Sequence, residues 1–286
     1  MIVVTGATGQ LGRLVISQLL ERGVPAAGIV AAVRSPAKAA DLAERGVTVR
    51  EADYTRPQTL VSAFAGAERV LLISSSELGQ RLPQHRAVID AARAARVGQL
   101  VYTSLLHADR SPLGLAPEHR DTEALIAASG LPHVILRNGW YTENYLASVP
   151  AARQHGAFMG AAGEGRIASA SRADFAAAAA VVLTQAIAGN SVHELAGDAA
   201  YTLAELVAEL NRQVSGQVRY VNLAQADFAA ALIGAGLPKP VAELLADSDK
   251  GAEKGALFDA SHALSTLIGR PTTPLASAMK EALASA

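Results

Sequence analysis

The residues best spaced to do chemistry open the chain. Thr5-Gly6-Ala7-Thr8-Gly9-Gln10-Leu11-Gly12 places three glycines at three-residue intervals, directly after the β-branched run Ile2-Val3-Val4. Leu14, Val15, Leu19 and Leu20 follow at helical spacing. Strand, tight turn and helix N-terminus, in that order, make an anion site. Gly6 permits the sharp turn, Gly9 lets the backbone approach a pyrophosphate, and Gly12 lets the helix pack closely on the strand. A glycine triplet alone also describes an ordinary turn. What separates the two readings is context: a second apolar run, Ile29–Val33, follows at the distance a βαβ unit requires.

The ends of the later strand-like runs carry the other candidates. Val33 leads into Arg34-Ser35-Pro36-Ala37-Lys38. A site selective for NAD has an acid here for the ribose 2′-OH, whereas cations suit the 2′-phosphate of NADP. The plain alternative is that Arg34 is a solvated turn residue. Asp53 and Tyr54 offer a carboxylate to an adenine amino group and a ring beside it, or Asp53 is simply an acid at a helix N-terminus. Ser74-Ser75-Ser76 would let a ribose pass close to the backbone, and Ser104 would set a hydroxyl toward a nicotinamide. The segment Arg137-Asn138-Gly139-Trp140-Tyr141-Thr142-Glu143-Asn144-Tyr145 holds the chain's single Trp and two of its six Tyr. Such a polar-aromatic stretch lines a planar ligand pocket or plugs a gap between lobes.

These groups need a scaffold that brings strand ends together. Strand-like runs at Met1–Thr5, Ile29–Val33, Val47–Arg50, Val70–Ser74, Leu100–Ser104 and His133–Leu136 alternate with helical patterns around 10–22, 36–45, 57–65, 83–96 and 118–129. The alternation predicts an α/β chain, a Rossmann-type doubly wound parallel sheet with a smaller α/β C-terminal lobe. We place the dinucleotide-binding domain at 1–137, with a return strand near 192–197, and the smaller substrate lobe at 138–286. In that lobe, Ser171 caps a helix running to Leu183, and Thr202-Leu203-Ala204-Glu205 is a capping box. Gln217–Leu223 is strand-like, with two helices after it.

Bulk properties exclude several classes. The chain has 286 residues, half of them hydrophobic, and a net charge of −1 without a long run of either sign. That argues against a nucleic-acid surface. No apolar stretch has membrane-spanning length, and the N-terminus enters the first strand at once, leaving no room for a signal peptide. The expected compartment is the cytoplasm. Absence of cysteine removes disulfides and thiolate chemistry. The seven histidines are scattered without metal-ligand spacing, so no metal site is expected.

Thr5–Gly12, Val33-Arg34, Leu136-Arg137-Asn138 and the closing Leu267-Ile268-Gly269-Arg270-Pro271 together resemble the NmrA-like branch of the atypical short-chain dehydrogenases. The similarity spans essentially the whole chain. Leu71–Gln80, Tyr102–Ala108 and Leu136–Ala147 bring it nearest the bacterial type 2 NAD(P)H:quinone oxidoreductases, with triphenylmethane-dye reductases more distant. The resemblance implies NADPH, preferred over NADH, as cofactor and a quinone as acceptor, in a monomer or homodimer. It carries the cofactor contacts onto Gly6, Ala7, Thr8, Gly9, Gln10, Leu11, Arg34, Ser74, Ser75, Ser76, Asn138, Gly139, Trp140 and Tyr141, with Tyr141 and Asn144 toward the acceptor.

One departure matters. Where the wider superfamily has Tyr-x-x-x-Lys, this chain has His119-Arg120-Asp121-Thr122-Glu123. Alcohol or ketone chemistry needs a placed proton carrier. A quinone is an activated acceptor whose reduced anion takes a proton from water, so proximity can supply much of the catalysis. No catalytic residue is assigned, and His119 is either a proton donor or a helix-surface histidine. The missing pair equally fits a redox sensor that binds NADP(H) without turnover, and it disfavours a sugar-nucleotide epimerase.

Overall fold

The computed structural model describes residues 1–77, 79–187 and 189–284. The chain begins β1 (Ile2–Thr5), α1 (Gln10–Glu21), β2 (Ile29–Val33), α2 (Ala40–Glu44), β3 (Thr48–Glu51), α3 (Pro57–Ala63), β4 (Arg69–Leu72), α4 (Arg81–Ala94), β5 (Gln99–Leu105), α5 (Ala116–Ala128) and β6 (His133–Asn138). It continues α6 (Thr142–Leu146), α7 (Val149–His155), β7 (Ala157–Gly160), α8 (Arg172–Thr184), β8 (Ser191–Leu195), α9 (Leu203–Gln213), β9 (Arg219–Asn222), α10 (Gln225–Gly234), α11 (Lys239–Glu253), α12 (Ala263–Ile268) and α13 (Leu275–Ala284).

Seven strands form one sheet in the order β3-β2-β1-β4-β5-β6-β8. Every pairing from β3 to β6 is parallel. The strand order reverses between β1 and β4, and ligands of such sheets bind outside the carboxyl ends at that switch point. Every residue of β2 and of β5 is buried, as a sheet covered on both faces requires. The edge strand β3 is half exposed. The valines and leucines of the inner strands meet in the core, where Val3, Val30, Val70, Leu72, Leu100 and Tyr102 belong to one buried cluster.

Contacts group the chain into two compact units. The first comprises Met1–Ala108, Pro117–Asn138 and Arg172–His193; the second comprises Asp109–Ala116, Gly139–Ser171 and Glu194–Ala286. The division is thus not contiguous at 137/138. Helix α8 belongs to the first unit, where it packs against α1. Its ten residues Asp174–Leu183 are all buried. A helix apolar on every side needs cover on every side, and its alanines let neighbours approach closely.

Local departures from the sequence reading have local causes. The helix expected over 36–45 splits into a 3-10 turn, Pro36–Ala39, and the short α2. The run expected at Val70–Ser74 leaves the ladder after Leu72 because the Ser74 N–H turns to the Thr103 hydroxyl, 2.9 Å away. In the second unit, β7 pairs in parallel with β9 from Ala157↔Arg219 to Gly160↔Asn222. Strand β7 and helices α6 and α7 were not anticipated, since all three are too short to show a period. The Thr202–Glu205 capping box forms as expected. Among the described residues no helix is long and apolar enough to cross a membrane.

The second unit also buries a carboxylate. Asp249 on α11 accepts from the Ala161 N–H at 2.8 Å and the Tyr145 hydroxyl at 3.0 Å. Burial pushes its carboxyl up to about 6, against the lowering pull of those two donors.

Candidate cofactor site

The turn after β1 shows why each glycine is there. Gly6 takes φ +58°, and the Gly9 N–H closes the turn on the Gly6 carbonyl at 2.9 Å. Gly9 caps α1 without a side chain, leaving the first-turn N–H groups for an anion. A Cβ on Gly12 would lie 2.5 Å from the Gly6 oxygen and 2.7 Å from the Ala7 Cα. Only glycine lets the helix start this close to the turn. Ala7 and Leu11 are buried, and Gln10 is exposed at the helix start.

Gly6, Thr8 and Gly9 line a cavity of about 680 Å³ built within the first unit. Arg34 after β2, Asp53 and Tyr54 after β3, and Ser74, Ser75 and Ser76 after β4 line it too. The strand-end residues Gly6, Thr8, Gly9, Arg34, Ser74, Ser75 and Ser76 thus converge on one space, while Ala7, Leu11 and Gly12 shape the turn beneath it. Lys38, the second cation of the strand-two end, lines the cavity as well, together with Arg13, Glu77 and Gln84, which the sequence does not mark. Arg13 has only its place just after Gly12 to mark it.

The cavity carries both signs of charge. Arg34 pairs with Glu77 at 2.6 Å. Arg13 pairs with Asp41 and donates to the Lys38 carbonyl at 2.8 Å. Asp53 already has partners for its carboxylate. Burial raises its carboxyl, but the Thr55 N–H and hydroxyl and the Arg56 guanidinium outweigh that and hold it below the usual range. The one proton of the Tyr54 hydroxyl is shared between Thr5 Oγ1 and the Ile73 carbonyl, 3.1 Å away, which ties β1 to the loop after β4.

Buried side chains hold the serine loop. The Ser75 N–H donates to His85 Nε2 at 2.9 Å, and Arg81 Nε donates to the Ser75 carbonyl at 2.9 Å. Because Nε2 accepts, His85 carries its proton on Nδ1 and donates to the Thr122 hydroxyl at 3.0 Å. Burial, then Arg81, lowers His85 to about 3. His119 is not a helix-surface histidine. It is 5 % exposed, and its Nδ1 shares a hydrogen bond with the Tyr102 hydroxyl, 2.7 Å away. Burial, then Arg81 and His85, brings it to about 3 as well. Both rings are neutral at physiological pH.

Ser104, expected to face a nicotinamide, donates to Glu123 at 2.5 Å, and the Arg137 guanidinium grips both oxygens of that carboxylate at 3.0 and 2.7 Å. The stretch His119–Glu123 therefore holds a carboxylate in a guanidinium fork rather than a lysine. Asn138 ends β6, and its carbonyl accepts from the Leu106 N–H at 3.0 Å. Asn138 Oδ1 and Trp140 Nε1 are buried with no hydrogen-bond partner among the described residues. In the second unit, Gly139 donates to the Leu195 carbonyl at 2.8 Å, Tyr141 bridges to Ala170, and Asn144 lies on α6. None of residues 138–144 lines the cavity.

A glycine cradle that a Cβ would fill, a helix N-terminus and a cation rim are the fittings a dinucleotide needs. An orphaned carboxamide oxygen at the end of β6 adds an unmet acceptor in the same unit. Residues 6–186 match the NAD(P)H-binding family. The chain belongs to this family. It is 62 % identical over 276 residues to quinone oxidoreductase 2 of Escherichia coli (strain K12), covering 96 % of each chain. The solved E. coli NADPH-dependent quinone oxidoreductase complexed with NADPH superposes with a TM-score of 0.96 at 60 % identity, over 99 % of this chain and 100 % of that one. Citrobacter sp. triphenylmethane reductase complexed with NADP(H) gives a TM-score of 0.94 at 37 % identity, over 99 % of this chain and 100 % of that one. The NmrA-like resemblance read from the glycine turn and the Leu136-Arg137-Asn138 segment holds, and NADP is the family member's cofactor.

Proposed function

We propose that this chain catalyses NADPH-dependent reduction of quinones by hydride transfer to a planar acceptor. The observation that carries the reading is an intact cofactor cradle in a chain 62 % identical, over nearly its full length, to a quinone oxidoreductase. Gly6, Thr8, Gly9 and the α1 N-terminus hold the pyrophosphate, where N–H groups and the helix dipole favour an anion. Arg34, with Arg13 and Lys38 beside it, takes the 2′-phosphate. Ser74, Ser75 and Ser76, fixed by His85 and Arg81, pass the cofactor's sugar close to the backbone. In the second unit, Tyr141 and Asn144 offer a ring and a carboxamide to the acceptor. Bound in this cradle, NADPH would supply the hydride, and solvent supplies the proton that completes the hydroquinone.

The protein's part is positioning rather than proton transfer. Glu123 is neutralised by Arg137, and His85 and His119 stay uncharged far below neutral pH. That inventory suits an acceptor needing little proton help and disfavours alcohols and simple ketones. The 37 % identity to a triphenylmethane reductase supports a second, dye-like acceptor at the same site. Steady-state NADPH oxidation tests the reading. Turnover should require a small benzoquinone and fail with simple ketones. No quinone-dependent oxidation, with NADPH bound, would replace the reading with a sensor that binds without turnover.

A further inference from the structure

The cavity that would take a 2′-phosphate contains a carboxylate at the same guanidinium. Glu77 Oε1 accepts from Arg34 at 2.6 Å. Its other oxygen, Oε2, accepts from Gln84 Nε2 at 2.6 Å. Gln84 sits on α4 and is only 5 % exposed. The Glu77 N–H donates to Ser75 Oγ at 3.2 Å. The acid is thus set against Arg34 by a buried amide and by the serine loop, not swinging freely from the surface. Glu77 lies outside the strand-end positions where an NAD-selective acid is expected, which is why the sequence did not mark it.

A carboxylate and a 2′-phosphate ask for the same N–H groups and repel one another. A ribose 2′-OH, in contrast, can donate to that carboxylate. We infer that Glu77 is a specificity-determining residue that competes with the 2′-phosphate for Arg34, lowering the preference for NADP(H) over NAD(H). The inference rests on the proposed assignment of Arg34 to the 2′-phosphate. It also fixes the size of the effect. The Arg34 side chain is 71 % exposed and that of Glu77 43 %, so solvent screens the pair. Exposed pairs are weak, and releasing Arg34 changes affinity by about two- to fivefold rather than by orders of magnitude.

The test uses the full chain and two probes, adenosine 2′,5′-bisphosphate and 5′-AMP, with dissociation constants from calorimetry. Glu77→Gln keeps the shape and a Gln84 contact while removing the charge. It should tighten the 2′,5′-bisphosphate by about two- to fivefold, whereas 5′-AMP, whose 2′-OH loses a carboxylate acceptor, should bind no tighter. The gain should shrink at high salt. Unchanged or weaker 2′,5′-bisphosphate binding in Glu77→Gln would overturn the inference, weaker binding meaning that Glu77 orients Arg34 instead. Arg34→Ala separates the two levels. If it weakens the bisphosphate while Glu77→Gln has no effect, only the competition fails; if it changes nothing, the assignment of Arg34 fails and the competition with it.

Discussion

At the residue scale, Arg34 is the residue proposed to choose the cofactor. A charge-assisted hydrogen bond contributes about 1.5–3 kcal/mol, so Arg34→Ala should weaken NADPH by that amount in an equilibrium titration and barely change NADH. Equal loss for both would mean that Arg34 does not read the 2′-phosphate. Arg34 was legible in the sequence because its position is fixed by one strand end, β2. So were Gly6, Gly9 and Gly12, whose backbone demands are met within a single turn. Arg13, Glu77 and Gln84 were not. Their roles arise where α1, the loop after β4 and α4 meet, and no local spacing records that meeting. Asp53 and Tyr54 were legible as strand-end residues and both line the cavity, but the local partners of their polar atoms, Thr55, Arg56, Thr5 and Ile73, were not.

At the scale of elements, the serine loop after β4 depends on α4 and α5 behind it. His85→Ala leaves the Ser75 N–H without its acceptor, a loss of about 1–3 kcal/mol. The expected kinetic signature is a raised KM for NADPH with a smaller change in kcat. His85 also shapes the acid response. Its folded value of about 3 lies below the ordinary 6.5, so the folded state favours the neutral ring. The stability this contributes is fully present above 6.5 and is lost as the pH falls toward 3. Chemical denaturation between pH 7 and pH 4 should therefore show a shallower loss in His85→Ala than in the parent; an identical slope would contradict the burial of an uncharged His85. Strand and helix alternation made β1–β6 readable, but the α4–α5 side chains that steady the loop could be placed only once Thr122, Arg81 and His85 were seen together.

At the scale of the molecule, each unit has its own electrostatic cost, and in the second it is Asp249. Its carboxyl is raised to about 6 from the ordinary 3.8, so folding binds its proton more tightly than unfolding does. The cost is absent below 3.8 and complete above about 6. Asp249→Asn should raise unfolding free energy by about 1–3 kcal/mol at pH 8, with the gain fading toward zero near pH 4. Taking the difference between variant and parent cancels the histidines, which titrate over the same range. The two-unit arrangement was only partly legible. A fold class follows from alternation, but α8 reads as a featureless alanine-rich helix, and its membership of the first unit comes from its packing on α1.

The central claim is that cofactor held in the glycine cradle is consumed, not merely sensed. A single-turnover experiment tests it most directly: protein saturated with NADPH is mixed rapidly with a benzoquinone, without oxygen, and nicotinamide absorbance is followed. The account predicts a single-exponential loss of NADPH matched by an equal amount of hydroquinone. NADPH that stays bound and reduced after mixing would contradict it.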